Sequence, residues 1–222
     1  MIKGVIFDLD GTILNTIDDL VAAMNRMLVS FGYPPREDMD FQKQAIGYGA
    51  RNYVKKCMPA SEQENDAQID KCLAAYYEDY RANSSVKTKP YEDINAVLTF
   101  LKSHRIKIGV LSNKPDGATK ALVKKWFGAY DFDCVYGERE NVPPKPHKGA
   151  PLSIAKEMGL TPSEIAFVGD SEVDMQTGVA AGMIPLGVLW GFRTKEQLLS
   201  GGAQFLAVTP KDLITIIEEY NQ

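Results

Sequence analysis

The chain has 222 residues, of which 45% are apolar and 24% charged, with a formal net charge of −4. That length fits one large or two small domains, with a core that needs no covalent staples. The mild negative charge argues against the basic face of a nucleic-acid binder, and no apolar run approaches the roughly 20 residues of a membrane span.

The first predicted element is the β-branched run "IKGVIF" (2–7), a buried strand. After "DLDGT", Ile17, Leu20, Val21, Met24, Leu28 and Phe31 fall on one helical stripe that "FGYPP" (31–35) stops. Residues 36–82 read as further helices, broken at "GYG" (47–49) and "MPASEQEND" (58–66), with high helical propensity over 68–81. No strand is expected between residues 15 and 85.

From "KTKPYED" (87–93) onward the pattern alternates. Ile94, Val97, Leu98 and Leu101 mark a helix face, and strands are expected at 106–111, 132–136, 165–169 and 184–189. Helices fall between them at 118–128, 149–159 and 173–182. In the last helix Thr209 is the N-cap, Pro210 sits in the first turn, and Leu213, Ile216, Ile217 and Tyr220 form the buried stripe. This alternation predicts an α/β fold with a parallel sheet covered on both faces. The first strand meets its next partner roughly 90 residues later, so the all-helical stretch is an insertion. The expected organisation is a core of residues 1–14 and 83–222 with a helical cap at 15–82.

Polar residues collect where strands end: Asp8 and Asp10, then Ser112, Asn113 and Lys114, then Gly169, Asp170, Ser171 and Asp174, with Lys145 before a helix. In open α/β sheets ligands bind outside the carboxyl ends of strands. Asp8, Asp10 and Asp170 together demand a cation, and hard carboxylate oxygens suit Mg²⁺. Ser112, the Asn113 N–H and Lys145 are donors for an anion, and Gly11 lets the "DGT" turn aim backbone N–H groups at the same place. Metal plus anion donors describes a phosphate site. One carboxylate can then attack phosphorus while the other moves the proton.

The motifs "DLDGT" (8–12), "SN" (112–113), Lys145 in "KP" and "GDSEVD" (169–174) resemble, in this order, those of the haloacid dehalogenase superfamily. Within it the chain is similar to the phosphoglycolate phosphatase group through "IGYGARNYV" (46–54), "SNKP" (112–115), "VGDSEVD" (168–174) and "WGFRTKEQL" (190–198). The resemblance implies a Rossmann-like core with an inserted helical cap. It implies Asp8 as nucleophile and Mg²⁺ ligand, Asp10 as acid/base and a metal ligand through its carbonyl, and Asp170 as a further metal ligand. Ser112, Asn113 and Lys145 would hold the phosphoryl group. Thr12 would support Asp10 and the loop, and Ser171 belongs to the last motif.

Other residues keep more than one reading. The resemblance implies that Asp174 orients Lys145 or a metal-bound water, and a helix-surface acid is the alternative. Gly47, Tyr48 and Gly49 form either a plain turn or a substrate loop, with Arg51 able to grip a substrate carboxylate. His147 is expected to be structural.

Asp10 favours phosphoryl transfer over dehalogenation, because the dehalogenases and phosphonatases of the superfamily lack an acid there. The expected activity is Mg²⁺-dependent hydrolysis of a small phosphate monoester, with 2-phosphoglycolate a candidate. A β-phosphoglucomutase-like mutase, a pyrophosphatase or nucleotide phosphatase, and a non-catalytic phosphate binder are the alternatives. The expected partner is a small phosphorylated metabolite, with no nucleic acid and no membrane, acting on a monomer or homodimer. Cys57, Cys72 and Cys134 form no CxxC pair and suit a reducing cytoplasm. His104 and His147 are too few for a histidine-rich zinc site. "MIKGVIFDLD" lacks the apolar core of a signal peptide.

Overall fold

The computed structural model describes all 222 residues. In chain order the elements are β1 (Gly4–Phe7), β2 (Leu14–Asn15), α1 (Ile17–Ser30), α2 (Met39–Ala45), α3 (Ala50–Cys57), α4 (Asp66–Asn83) and β3 (Lys89–Pro90). There follow α5 (Ile94–Ser103), β4 (Lys107–Pro115), α6 (Asp116–Phe127), β5 (Cys134–Glu138), α7 (Gly149–Met158), β6 (Ile165–Gly169) and α8 (Glu172–Ala181). The chain closes with β7 (Ile184–Val188), α9 (Lys195–Gly201), β8 (Phe205–Ala207) and α10 (Pro210–Asn221). Two compact units result, Met1–Asn15 with Pro90–Gln222, and Thr16–Lys89. The second crossing between units falls after Lys89, past the 82/83 boundary expected from sequence, because residues 84–89 stay with the helices.

The first unit is built on a six-stranded parallel sheet ordered β5-β4-β1-β6-β7-β8. Its strands are apolar on both faces, as a sheet covered by helices on each side requires. Along β1, Val5 and Phe7 join one cluster and Ile6 the other. Ala166 and Val168 of β6 alternate in the same way with Ile165 and Phe167. The period of two thus sorts side chains into two cores. β1 pairs with both β4 and β6, Phe7 lying opposite Val110 and Val168, so their carboxyl ends come out side by side.

Four local features depart from the sequence expectation. β4 runs on to Pro115, with its register against β5 shifting between Leu111 and Pro115. β8 was not expected, because three residues are too few to show a period. α9 also escaped, although Thr194 and Gln197 form a capping box that "TKEQ" announces. In α10, Leu213 and Ile217 are buried, whereas Tyr220 is exposed and meets Phe205 edge-on.

In the helical unit, α1 buries Leu20, Ala23, Met24, Met27 and Leu28, and α4 buries Ile69, Cys72, Tyr76 and Tyr80. Both sets follow helical spacing. Tyr76 stacks on Tyr80 at 5.8 Å and meets Tyr53 edge-on at 6.0 Å. The start and end of this unit are tied by buried Asp19. Its carboxylate accepts from the Lys87 N–H at 3.0 Å, the Thr88 N–H at 2.8 Å and the Thr88 hydroxyl at 2.7 Å. Asp19→Ala strands those donors and is expected to cost about 3 kcal/mol, measured by urea unfolding. A cost below about 0.5 kcal/mol, the range of ordinary surface changes, would mean the tie is slack.

All three cysteines are buried and unpaired. Burial pushes the Cys57 and Cys134 thiols up to about 12. Both are therefore protonated, and unreactive, well above neutral pH. Iodoacetamide at pH 8 is expected to leave Cys57 and Cys134 unlabelled in the folded protein and to label them in urea, as read by mass spectrometry. Native labelling of either would contradict the buried, protonated thiol.

Candidate active site

Asp8 follows β1 directly, and its N–H donates to the Val168 carbonyl at 2.9 Å, which continues the sheet ladder by one residue. Its side chain is nearly buried, and its Oδ1 accepts from Lys145 Nζ at 2.7 Å. The same ammonium donates to Asp174 Oδ1 at 2.6 Å. Lys145 is 3% exposed and Asp174 1%, so that pair is sealed from water, while Asp8 is 10% exposed. Asp174 is therefore no surface acid. Its other oxygen accepts from the Ser171 hydroxyl at 2.6 Å and N–H at 3.1 Å, the capping box that opens α8.

Asn113 fixes the lysine from behind. Its side chain accepts from the Lys145 N–H at 2.8 Å and donates to the Lys145 carbonyl at 3.0 Å, pairing two distant segments as strands pair. The Ser112 hydroxyl accepts from the Lys114 N–H at 3.3 Å. Lys114 stood among the polar residues expected at the strand ends but had no role there, and its Nζ lies 2.8 Å and 3.1 Å from the two Asp10 oxygens. Its two-residue spacing from Ser112 along a strand was the available signal, since i and i+2 share a face.

Asp170 follows β6 and lies against the "DGT" turn. Gly11 has φ +85, and a Cβ there would sit 2.2 Å from Asp170 Oδ2. Gly191 is as close on the other side, where a Cβ would meet Asp170 Cβ at 2.2 Å. The loop carrying Gly191 is a strap absent from the expected site. Trp190 Nε1 donates to the Thr12 carbonyl at 2.9 Å, the Phe192 N–H donates to Asp170 Oδ2 at 2.7 Å, and buried Arg193 pairs with Glu172 at 2.9 Å. The Thr12 hydroxyl is buried without a hydrogen-bond partner. His147 accepts from the Gly149 N–H at 3.1 Å, a structural role.

Carboxylate oxygens of Asp8, Asp170 and Asp174 lie within 4.8 Å of one another. Burial pushes the Asp8 carboxyl up to about 7, with Asp174 adding to the rise and Lys145 opposing it. Burial likewise raises Asp170, helped by the charges of Asp174 and Asp8. Lys145 is raised as well: burial opposes its charge and is outweighed by Asp174 and Asp8. Asp8, Asp10, Asp170 and Asp174 thus face two ammonium groups, those of Lys114 and Lys145, with the Arg193 guanidinium also acting on Asp170. Hydrogen bonds leave Asp8 Oδ2 and Asp170 Oδ1 open while both Asp174 oxygens are engaged. A hard divalent cation fits that donor set.

The other expected residues lie in the helical unit. Gly47 has φ 118 and Gly49 φ 85, and Tyr48 is exposed with Lys56 Nζ 5.2 Å from its ring centre. Arg51 is engaged by two acids of α4, Asp66 at 2.6 Å and Asp70 at 3.2 Å.

A parallel α/β sheet with acids and lysines gathered at its central strand ends defines a hydrolase-type site at a topological switch point. The family model described as "Haloacid dehalogenase-like hydrolase" matches residues 5–188. The chain belongs to that family. It is 29% identical over 219 residues to the protein named phosphoglycolate phosphatase 1 of Pseudomonas aeruginosa, covering 97% of this chain and 79% of that one. It is 31% identical over 194 residues to the phosphoglycolate phosphatase of Neisseria meningitidis, covering 86% and 82%. A solved structure from Lactobacillus delbrueckii subsp. bulgaricus matches with a TM-score of 0.88 at 27% identity, over 95% of this chain and 96% of the other.

The Asn113 clamp makes a separable claim about Lys145. Asn113→Ala is expected to lower kcat by about 10- to 100-fold through a displaced lysine. It should also cost about 1–3 kcal/mol for the buried backbone groups it strands. Steady-state kinetics and denaturant unfolding read the two effects, and unchanged kcat would show that Lys145 holds its place unaided.

Proposed function

We propose that this protein is a Mg²⁺-dependent phosphatase that cleaves small phosphate monoesters, 2-phosphoglycolate among them, with the unit of residues 16–89 acting as its cap. The observation that carries the reading is the buried Lys145 triad beside an open oxygen of Asp8. Asp8 attacks phosphorus through that oxygen. The bond from phosphorus to the ester oxygen breaks, and Asp10 gives that oxygen its proton. Asp10 then takes a proton from water, whose oxygen attacks the aspartyl-phosphate. The bond to Asp8 breaks, which frees phosphate and restores both acids.

Lys145 holds Asp8 in line and offsets charge that builds on the phosphoryl oxygens. Ser112 and the Asn113 N–H donate to those oxygens, whereas the Gly11 and Thr12 N–H groups expected to join them are taken by the Leu14 and Leu9 carbonyls. Held by Asp170, the Asp10 carbonyl and the Asp8 oxygen that does not attack, Mg²⁺ would supply positive charge to the same group. Asp174 holds Lys145 in this scheme, since both its oxygens are already engaged. The names of the relatives support the choice of 2-phosphoglycolate.

Phosphate release with Mg²⁺ is to be measured over 2-phosphoglycolate, sugar phosphates, pyrophosphate and nucleotides. The expected result is turnover of a small monoester that chelation abolishes and Mg²⁺ restores. Asp8→Asn should lower kcat by at least about 1,000-fold, some 4 kcal/mol of barrier, with an unchanged circular dichroism spectrum. Release from no ester, or an active Asp8→Asn variant, would overturn the reading. Conversion of a sugar phosphate to its isomer in place of release would point to a mutase.

A further inference from the structure

We propose that Lys114 selects phosphate esters carrying a second anion, a carboxylate close to the ester oxygen, and does so through Asp10. The inference rests on the phosphatase reading and adds to it the residue that recognises the leaving group. The two lysines of the site are held differently. Lys145 lies between Asp8 and Asp174, both on the nucleophile's side. Lys114 grips Asp10, with its ammonium on both carboxylate oxygens at 2.8 Å and 3.1 Å.

The base of Lys114 is rigid. Its N–H donates to the Ser112 hydroxyl at 3.3 Å, and its carbonyl accepts from the Thr119 hydroxyl at 3.2 Å. Gly137 backs against that carbonyl so closely that a Cβ would approach it to 2.4 Å. The side chain is 5% exposed and Asp10 13%, so the pair stands largely out of water. Attraction between charges is strong in such a place.

Asp10 protonates the leaving oxygen, so the group attached to that oxygen lies beside Asp10 and hence beside Lys114. A neutral group leaves the ammonium on Asp10. A carboxylate one carbon away competes for the ammonium, and an Asp10 oxygen is freed to take up a proton from water and carry it to the leaving oxygen. Binding energy from the remote carboxylate is thereby spent on assembling the acid, which raises kcat as well as affinity.

The test compares 2-phosphoglycolate with 2-hydroxyethyl phosphate, esters of similar size that differ in the remote charge. Wild type is expected to favour the carboxylated ester in kcat/KM by at least about 30-fold, and Lys114→Met to shrink that preference at least about tenfold. Lys114→Arg, which keeps the charge, should retain most of it. A merely structural role would lower both esters alike and leave the ratio unchanged, and that result overturns the proposal. Should Lys114→Met fail to fold, Lys114→Gln carries the same comparison. Inhibition of wild type by glycolate but not by ethylene glycol gives a reading on the intact enzyme, and equal inhibition counts against the proposal. A wild type that cleaves both esters equally removes the role of Lys114 and leaves the phosphatase standing. A wild type that cleaves no phosphate ester removes both.

Discussion

The ammonium of Lys145 is the contact on which the rest of the site depends. It is sealed between two carboxylates, at 2.7 Å from Asp8 and 2.6 Å from Asp174. Burying an isolated ion costs several kcal/mol, and only close partners offset it. Three separate segments supply the arrangement. Asn113 at the end of β4 grips the backbone of Lys145, the Ser171–Asp174 box at the start of α8 aims Asp174, and the ladder to Val168 sets Asp8. A shift in any one leaves a buried charge without its partner, so the triad ties strand ends together as well as preparing chemistry.

The sheet order explains why those segments meet. β1 is central, with β4 on one side and β6 on the other. Connections leaving the two sides run apart, which opens a crevice above β1. Asp8 and Asp10 rise into it from the middle, the lysines come from the β4 side, and Asp170 comes from β6. The strap of Trp190 to Arg193 closes the β6 side by bonding to both Thr12 and Asp170. Glycine at 191 is what allows that approach, since any side chain would strike Asp170.

Much of this was legible in the chain, for a physical reason. Strands apolar on both faces and helices striped at 3.6 leave a local signature, and "DLDGT" and "GDSEVD" place acids where strands end. The pairing of those acids left none. Asp10 and Lys114 are 104 residues apart, and Asp8 and Lys145 are 137 apart, so their meeting depends on register between strands. The same limit hid Asn113. Its backbone was expected to serve an anion, while its side chain serves the backbone of Lys145. Asp174 had three readings in sequence, and burial beside the ammonium removes the surface acid among them.

Two carboxylates at a spacing of two repel, and the structure answers that repulsion with a separate lysine for each. The two answers are unequal in a way that suits the proposed division of work. Asp8 is held among buried partners, its ammonium gripped in turn by Asp174, so its line of approach is set before a substrate arrives. A nucleophile gains from such fixity, because misplacement by an ångström is costly. Asp10 is more exposed and its oxygens rest on a single ammonium. An acid that must serve first an ester oxygen and then a water needs room to turn. The spacing in sequence is shared, but the partners are not, and it is the partners that fit one aspartate to the proposed role of fixed nucleophile and the other to that of movable proton carrier.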